Sequence, residues 1–253
     1  MKKIQTFLKD NWLILTILFV ASCLRLIALG VYPRGTYTDE AYGAYIAYGL
    51  LTAGMDDRGC HFPVYFIAWG SGMNALYSYL GMLFFRLFGV SLLIYRLPQA
   101  LLGILSIAAF YILCRELFGR KEALFFAFVL AVNPWHIMMC RFGLESSLAP
   151  GMFVIGLTFF VLGLLRKSTY LVLAAIFWGL TLYCYAMTWL VLPLFLLLAV
   201  IFCGRWIPVK KVTVFSVVIL FILALPLLLF VMINLGLLSE IRTSFFTIPR
   251  LTG

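Results

Sequence analysis

Hydrophobic and polar positions alternate along this chain on the scale of membrane spans, not of single strands or surface helices. Apolar runs cover residues 12–31, 97–114, 123–139, 148–165, 170–187, 189–203 and 212–235. Each approaches the roughly 20 residues that carry a helix across a bilayer, although 189–203 is short for a full crossing. The pattern predicts an all-α, polytopic membrane helical bundle of about seven transmembrane helices. An eighth apolar run, 75–90, is ambiguous. If it spanned, every later loop would invert and Arg115, Arg120, Lys121, Lys210 and Lys211 would face outward. It is therefore read as an interfacial or re-entrant segment, with Tyr77 and Tyr79 at headgroup level.

Composition agrees: 65% hydrophobic and 11% charged residues, with a mean hydropathy of +1.11, exclude an ordinary soluble domain. The net charge of +10 is not a nucleic-acid footprint, because the charges fall in short groups between apolar runs. With a cytoplasmic N-terminus, the inner side holds Lys2, Lys3, Lys9, Arg115, Arg120, Lys121, Arg166, Lys167, Arg205, Lys210 and Lys211, which include every lysine. The outer side holds Arg34, Arg58, Arg86, Arg96, Arg141, Arg242 and Arg250. This bias obeys the positive-inside rule; the expected location is a bacterial plasma membrane, with the N-terminus cytoplasmic and the 32–96 loop outside. The six cysteines show no paired spacing and lie mostly within apolar runs, as small hydrophobes do. Val20-Ala21-Ser22-Cys23 resembles a lipoprotein cleavage box, but the apolar run continues past it as a span would. There is no internal repeat. The sequence reads as one transmembrane module over 1–253, and its end soon after the seventh run suggests a longer parent protein.

The long polar interruption is 32–96, on the outer side, and it carries the chemistry. Asp39 and Glu40 stand side by side in a chain with only nine acidic residues. Paired carboxylates that close to a bilayer are costly unless water, a cation or a polar substrate meets them. Thr38 is placed to cap a helix beginning near Asp39. Tyr42, Tyr45, Ile46 and Gly49 follow at helical spacing, and Gly54 marks the stop. Carboxylates at such an N-terminus are favoured in their ionised form. They can take a proton from an acceptor hydroxyl or amine, or hold a divalent cation; the bland alternative is a polar helix start.

Two more clusters lie on the same side. Asn133-Pro134-Trp135-His136 precedes Arg141 and Glu145, which would share one helix face if the helix ran through Gly143. Arg141 there could clamp a phosphate, or simply pair with Glu145. Asp56, Asp57, Arg58 and His61 sit in a glycine-rich turn; Asp56 and His61 are weak metal-ligand candidates beside the default of a solvated loop. His136 is expected to be a packed interfacial residue and Arg25 a structural partner to a neighbouring helix. Tyr183-Cys184-Tyr185 fits either a sugar or lipid site or the aromatic belt.

Taken in order, Arg25-Leu26, Asp39-Glu40-Ala41, Gly54-x-Asp56-x-x-Gly59 with Pro63, Leu87-Phe88-Gly89, Arg96-Leu97-Pro98, Leu117-Phe118-Gly119, Asn133-Pro134-Trp135-His136 and the Arg141–Glu145 pair resemble one family. They are similar to the polyprenyl-phosphate-dependent glycosyltransferases of the GT-C superfamily, of the protein O-mannosyltransferase-like and aminoarabinose-transferase-like kind (family 39). The resemblance implies a catalytic acid at Asp39 and a second acidic position at Glu145, where the family often has Asp. It implies an inverting displacement in which a sugar leaves a polyprenyl phosphate for a lipid, glycan or protein acceptor. Asp39 would be the general base, and Glu40 would orient the acceptor or hold a cation. Arg141, aided by Arg58, would bind the donor phosphate, and Glu145, Asp56, His61 and Tyr42 would support. No cofactor is certain; a divalent cation could be held among Glu40, Asp56, His61 and Glu145. The rival readings are a transporter or lipid flippase with Arg25, Asp39 and Arg141 as a polar path, and a non-catalytic membrane subunit.

Overall fold

A computed structural model describes residues 2–69, 71–208 and 210–251, with side chains from residue 10 onward. Every apolar run is helical, but their ends depart from hydropathy in informative ways. The helices are α1 (Lys2–Leu26), α2 (Thr38–Ala53), α3 (Leu76–Phe88), α4 (Leu92–Phe118), α5 (Arg120–Val132), α6 (Pro134–Met139), α7 (Glu145–Leu165), α8 (Tyr170–Thr181), α9 (Thr188–Cys203) and α10 (Lys211–Asn234). By length and composition α4, α7, α9 with the turn after it, and α10 are able to cross a membrane; α1 has 25 residues. The 13-residue α3 rises about 20 Å, too short to cross by itself, and so are α5 with 13 residues and α8 with 12, although the runs 123–139 and 170–187 that overlap those two were expected to span.

The run 123–139 is not one helix. Asn133 ends α5 in an extended conformation, its side chain accepts the backbone N–H of His136 at 3.0 Å, and Pro134 opens α6. An asparagine cap followed by proline is a helix start, and it overrides the hydropathy. The α5 segment fits tightly because Ala123, Ala127 and Ala131 form a fully buried small-residue stripe against Ile14 and Ala21 of α1 and Ile107 and Tyr111 of α4.

The ends of these helices are tied by buried arginines. Arg25 is fully buried, as expected of a structural side chain, and donates to the carbonyls of Ala131 (2.9 Å) and Leu130 (3.4 Å) in the last turn of α5, and to Ala21 (3.2 Å). A cation at a helix C-terminus meets both unpaired carbonyls and the negative end of the dipole. It also reaches His136 Nδ1 at 2.7 Å. Arginine only donates, so that nitrogen accepts and the proton of a neutral His136 sits on Nε2.

Two short hairpins lie outside the helices and were not anticipated. β1 (Tyr65–Phe66) pairs antiparallel with β2 (Met73–Asn74), and β3 (Ile241–Arg242) with β4 (Thr247–Ile248). The Val64 N–H donates to Thr247 O at 3.0 Å, so the chain beyond α10 folds back onto the 32–96 segment.

Tyr95 of α4 is where α2, α3 and the loop before α7 converge. Gly43, Gly81 and Gly143 each abut it: a Cβ on Gly81 would stand 2.6 Å from Tyr95 Cε2, and one on Gly143 2.7 Å from Cδ1. At Gly43 the obstacle is the Tyr95 hydroxyl itself. Gly43→Ala should therefore cost about 1–3 kcal/mol through overpacking. Adding Tyr95→Phe, which removes the obstructing oxygen, should restore part of that loss. Thermal unfolding of the single and double variants in detergent measures both.

Candidate functional site

The α2 helix begins one residue earlier than expected and without a side-chain cap: Tyr37 is the N-cap, and Thr38, the anticipated cap, is the first helical residue. Gly54 does end the helix, at φ +67°, with its N–H on Leu50 O. Asp39 and Glu40 both fall in the first turn, beside unpaired N–H groups. Successive helical residues point about 100° apart, and here that separates their fates.

Glu40 is fully buried. Its Oε1 accepts Arg96 Nε and the Gly143 N–H, each at 2.7 Å, and its Oε2 accepts Arg96 Nη2 at 2.8 Å. Arg96, also fully buried, spends its remaining donors on the carbonyls of Leu29, Pro33 and Gly35. The expectation that Glu40 orients an acceptor or holds a cation is thereby corrected: both oxygens belong to a closed structural pair. Arg141 is corrected in the same way. It donates to Tyr32 O from Nε (3.2 Å) and Nη2 (2.9 Å), to Leu24 O from Nη1 (2.9 Å) and to Ile27 O from Nη2 (2.9 Å). It closes the C-terminal end of α1 and has no fork left for a phosphate. Nor does it pair with Glu145, because the chain between α6 and α7 is not helical through Gly143.

Asp39, in contrast, is exposed. Half-buried Glu145, the first residue of α7, lies close enough that the two carboxylates repel one another. Glu145 Oε2 accepts the backbone N–H of Asn74 in a very short bond, and its charge also acts on Tyr65, Tyr95 and Cys184. Burial, and then that carboxylate, push the Tyr65 phenol up to about 12. Asn74 is itself buried, with an unpaired side-chain oxygen. Neither Asn74 nor Tyr65 carries a signal in the sequence; only the register Tyr65↔Asn74 brings them to this place.

The loop after α2 forms a separate rim. Asp56 Oδ1 accepts the N–H groups of Arg58 (3.0 Å) and Cys60 (2.8 Å), so it shapes the turn. The Tyr42 hydroxyl lies 3.2 Å from both Asp57 oxygens and from Ile67 O. Burial, then Asp57, push that phenol well above its usual range. Arg58 is exposed. His61 is half-buried and bridges to Met55. Among the described residues no three His, Cys, Asp or Glu side chains gather as a metal site. Of the proposed ligands, Glu40 is sealed, Asp56 is committed to its turn, and Glu145 lies with Asp39, apart from His61. His136 is packed against Arg25, as expected, with Ser106 Oγ at 3.5 Å from Nε2. Tyr183 and Cys184 are structural: Tyr183 donates to Leu223 O at 2.7 Å and Cys184 is fully buried.

The sequence profile of the family described as dolichyl-phosphate-mannose-protein mannosyltransferase matches residues 74–230. The chain belongs to this family. As a member of this mannosyltransferase family it is an integral membrane protein of the GT-C fold, and solved structures agree. It is similar to ArnT from Cupriavidus metallidurans in the apo state (TM-score 0.68, 19% identity, covering 90% of this chain and 43% of that one). It is also similar to the same protein bound to undecaprenyl phosphate (TM-score 0.69, 18% identity, with the same coverage). A third likeness is to an Archaeoglobus fulgidus oligosaccharyltransferase complex with Zn and sulfate (TM-score 0.62, 18% identity, 92% of this chain and 32% of that one). The chain thus spans less than half the length of these proteins. No curated protein sequence matches it significantly. The family match covers Arg96, Arg141 and Glu145 but begins after Asp39.

Two outcomes are expected from this geometry. Glu40→Gln leaves Arg96 buried without its counter-charge and should destabilise the fold by about 3–5 kcal/mol, read as a fall in detergent melting temperature. Burial holds the Asp56 carboxyl above the ordinary carboxylate range, outweighing the two N–H groups that favour its ionised form. The native state then holds that proton more tightly than the unfolded chain, so stability falls as pH rises through the raised value. Asp56→Asn keeps an acceptor for both N–H groups and should flatten that part of the stability–pH curve.

Proposed function

We propose that this chain carries the catalytic face of a membrane glycosyltransferase. It would move a sugar from a polyprenyl phosphate to an extracytoplasmic acceptor by inverting displacement, with Asp39 as general base. The observation that carries this reading is that Asp39 is exposed and within electrostatic reach of half-buried Glu145, while the adjacent Glu40 is locked to Arg96. The Asp39 carboxylate takes the proton of the acceptor hydroxyl or amine as that atom bonds to the sugar's anomeric carbon. The bond from that carbon to the phosphate oxygen breaks, and its electron pair leaves with the polyprenyl phosphate. Glu145, held by the Asn74 N–H, orients the acceptor from the far side.

An apolar cavity of about 400 Å³ lies beside the site, lined by Phe62, Pro63, Ala75, Leu76, Tyr183 and Leu223 among others. Ala75 and Leu76 follow directly on Asn74, so a prenyl chain seated there would bring its phosphate to the Asp39 opening. With Arg141 committed to carbonyls, exposed Arg58 is a cation on this rim available to the departing phosphate. The family and the ArnT structure bound to undecaprenyl phosphate support this donor class. The positive-inside bias supports a cytoplasmic N-terminus and an outward-facing 32–96 segment. A transporter would need Arg25 and Arg141 along a polar path, whereas both guanidinium groups are engaged mainly with backbone carbonyls.

Asp39→Asn keeps the size of the side chain and removes the base. Transfer of radiolabelled sugar from a polyprenyl-phosphate sugar should fall about 100-fold or more, with membrane insertion and melting temperature unchanged. Undiminished transfer would remove Asp39 from the mechanism.

A further inference from the structure

We propose that Trp69, Tyr42 and Asp57 form a saccharide-stacking subsite beside Asp39, so that the acceptor presents a pyranose ring there. This assigns an acceptor class to the site described above and rests on that reading only for its place in the reaction.

Trp69 lies between β1 and β2, three residues after β1 ends. The base of this hairpin, at Asn74, holds Glu145, and its tip reaches α2. Two properties of Trp69 are unhelpful to folding. It is 69% exposed, and its φ is +51°, in the left-handed region that bulky residues rarely occupy. Strain of this kind persists where surrounding structure enforces it, and it gathers at ligand sites. Its ring contact is with Tyr42, at 5.6 Å between centroids and tilted by 58°. Tyr42 is one helical turn beyond Asp39 on the same face of α2. The Tyr42 hydroxyl is held in place by Asp57 and Ile67 O, so the platform on which the indole leans is fixed.

An indole face beside an exposed carboxylate matches a sugar ring, which has an apolar C–H face and a rim of hydroxyl donors. Through Tyr42 the indole is linked to Asp57, whose two oxygens each lie 3.2 Å from the Tyr42 hydroxyl, and a tryptophan serving only as a membrane anchor needs no such carboxylate.

The full chain in phospholipid nanodiscs tests this. The emission lost in Trp69→Phe isolates Trp69 from the other tryptophans. It should be quenched by acrylamide and spared by doxyl-labelled phospholipid. At least one of the methyl pyranosides of gluco, galacto and manno configuration should protect it saturably. The protection should be retained in Asp39→Asn and weakened about tenfold or more in Asp57→Asn. Quenching by doxyl lipid with no protection by any pyranoside would overturn the proposal and make Trp69 an interfacial anchor. Water-exposed emission that no pyranoside protects would overturn it equally. Should Asp39→Asn transfer sugar normally while Trp69 is still protected, the general-base reading falls and the subsite stands.

Discussion

Irregular backbone at the level of a membrane must find partners for its carbonyls, and here arginines supply them. From the last turn of α1 to the start of α2 the backbone leaves helical geometry. Its carbonyls at Leu24, Ile27, Leu29, Tyr32, Pro33 and Gly35 are collected by Arg141 and Arg96. Arg25 does the same for the end of α5. A carbonyl left unpaired in such a place costs free energy comparable to a lost hydrogen bond or more, so these side chains are structural in the strict sense. Each is a charge deep in the protein, and the arrangement is stable because a planar five-donor fork can satisfy several carbonyls at once. Only Arg96 also has an ionic partner, and that partner is Glu40.

This network sets the site. Glu40 draws the first turn of α2 down onto α4 and the Gly143 loop, and the next carboxylate along the helix is thereby turned out. A base must be held to within a fraction of an ångström of its working position. As the proposed base, Asp39 would meet that demand through its buried neighbour and not through bonds of its own. The acidic pair is therefore a division of labour: one carboxylate fixes the helix, and the other is left free to meet a substrate.

The distinction was only half legible in the sequence. Scarcity of acids marks Asp39 and Glu40 as special, and the topology places them on the polar side. Which of the two is buried depends on the rotation of α2 about its axis. That rotation is fixed by Gly43 against Tyr95 and by Arg96, 56 residues away. Arg141 was misread for a related reason. A phosphate clamp and a carbonyl clamp use the same guanidinium, and the sequence does not say which acceptor arrives. The break at Asn133 was legible, since cap residue and proline stand in the right order, but it lay inside an apolar run. Asn74, Tyr65 and Trp69 were not legible, because a hairpin of two residue pairs has no periodicity long enough to detect.

The same physics explains how a chain at 18–19% identity keeps the fold of much longer proteins. Bilayer thickness and backbone satisfaction constrain helix lengths and ends whatever the side chains are. Within those limits small residues choose the contacts, as Ala123, Ala127 and Ala131 do along α5. What remains free to vary is the rim: the turn at Asp56, the hairpin tip at Trp69, and the exposed cations. The family match covers Arg96, Arg141 and Glu145 and leaves Arg25, Asp39 and Trp69 outside it. Acceptor preference in this chain should therefore be sought in 32–73, and the stability of the site in α4 and the loop before α7.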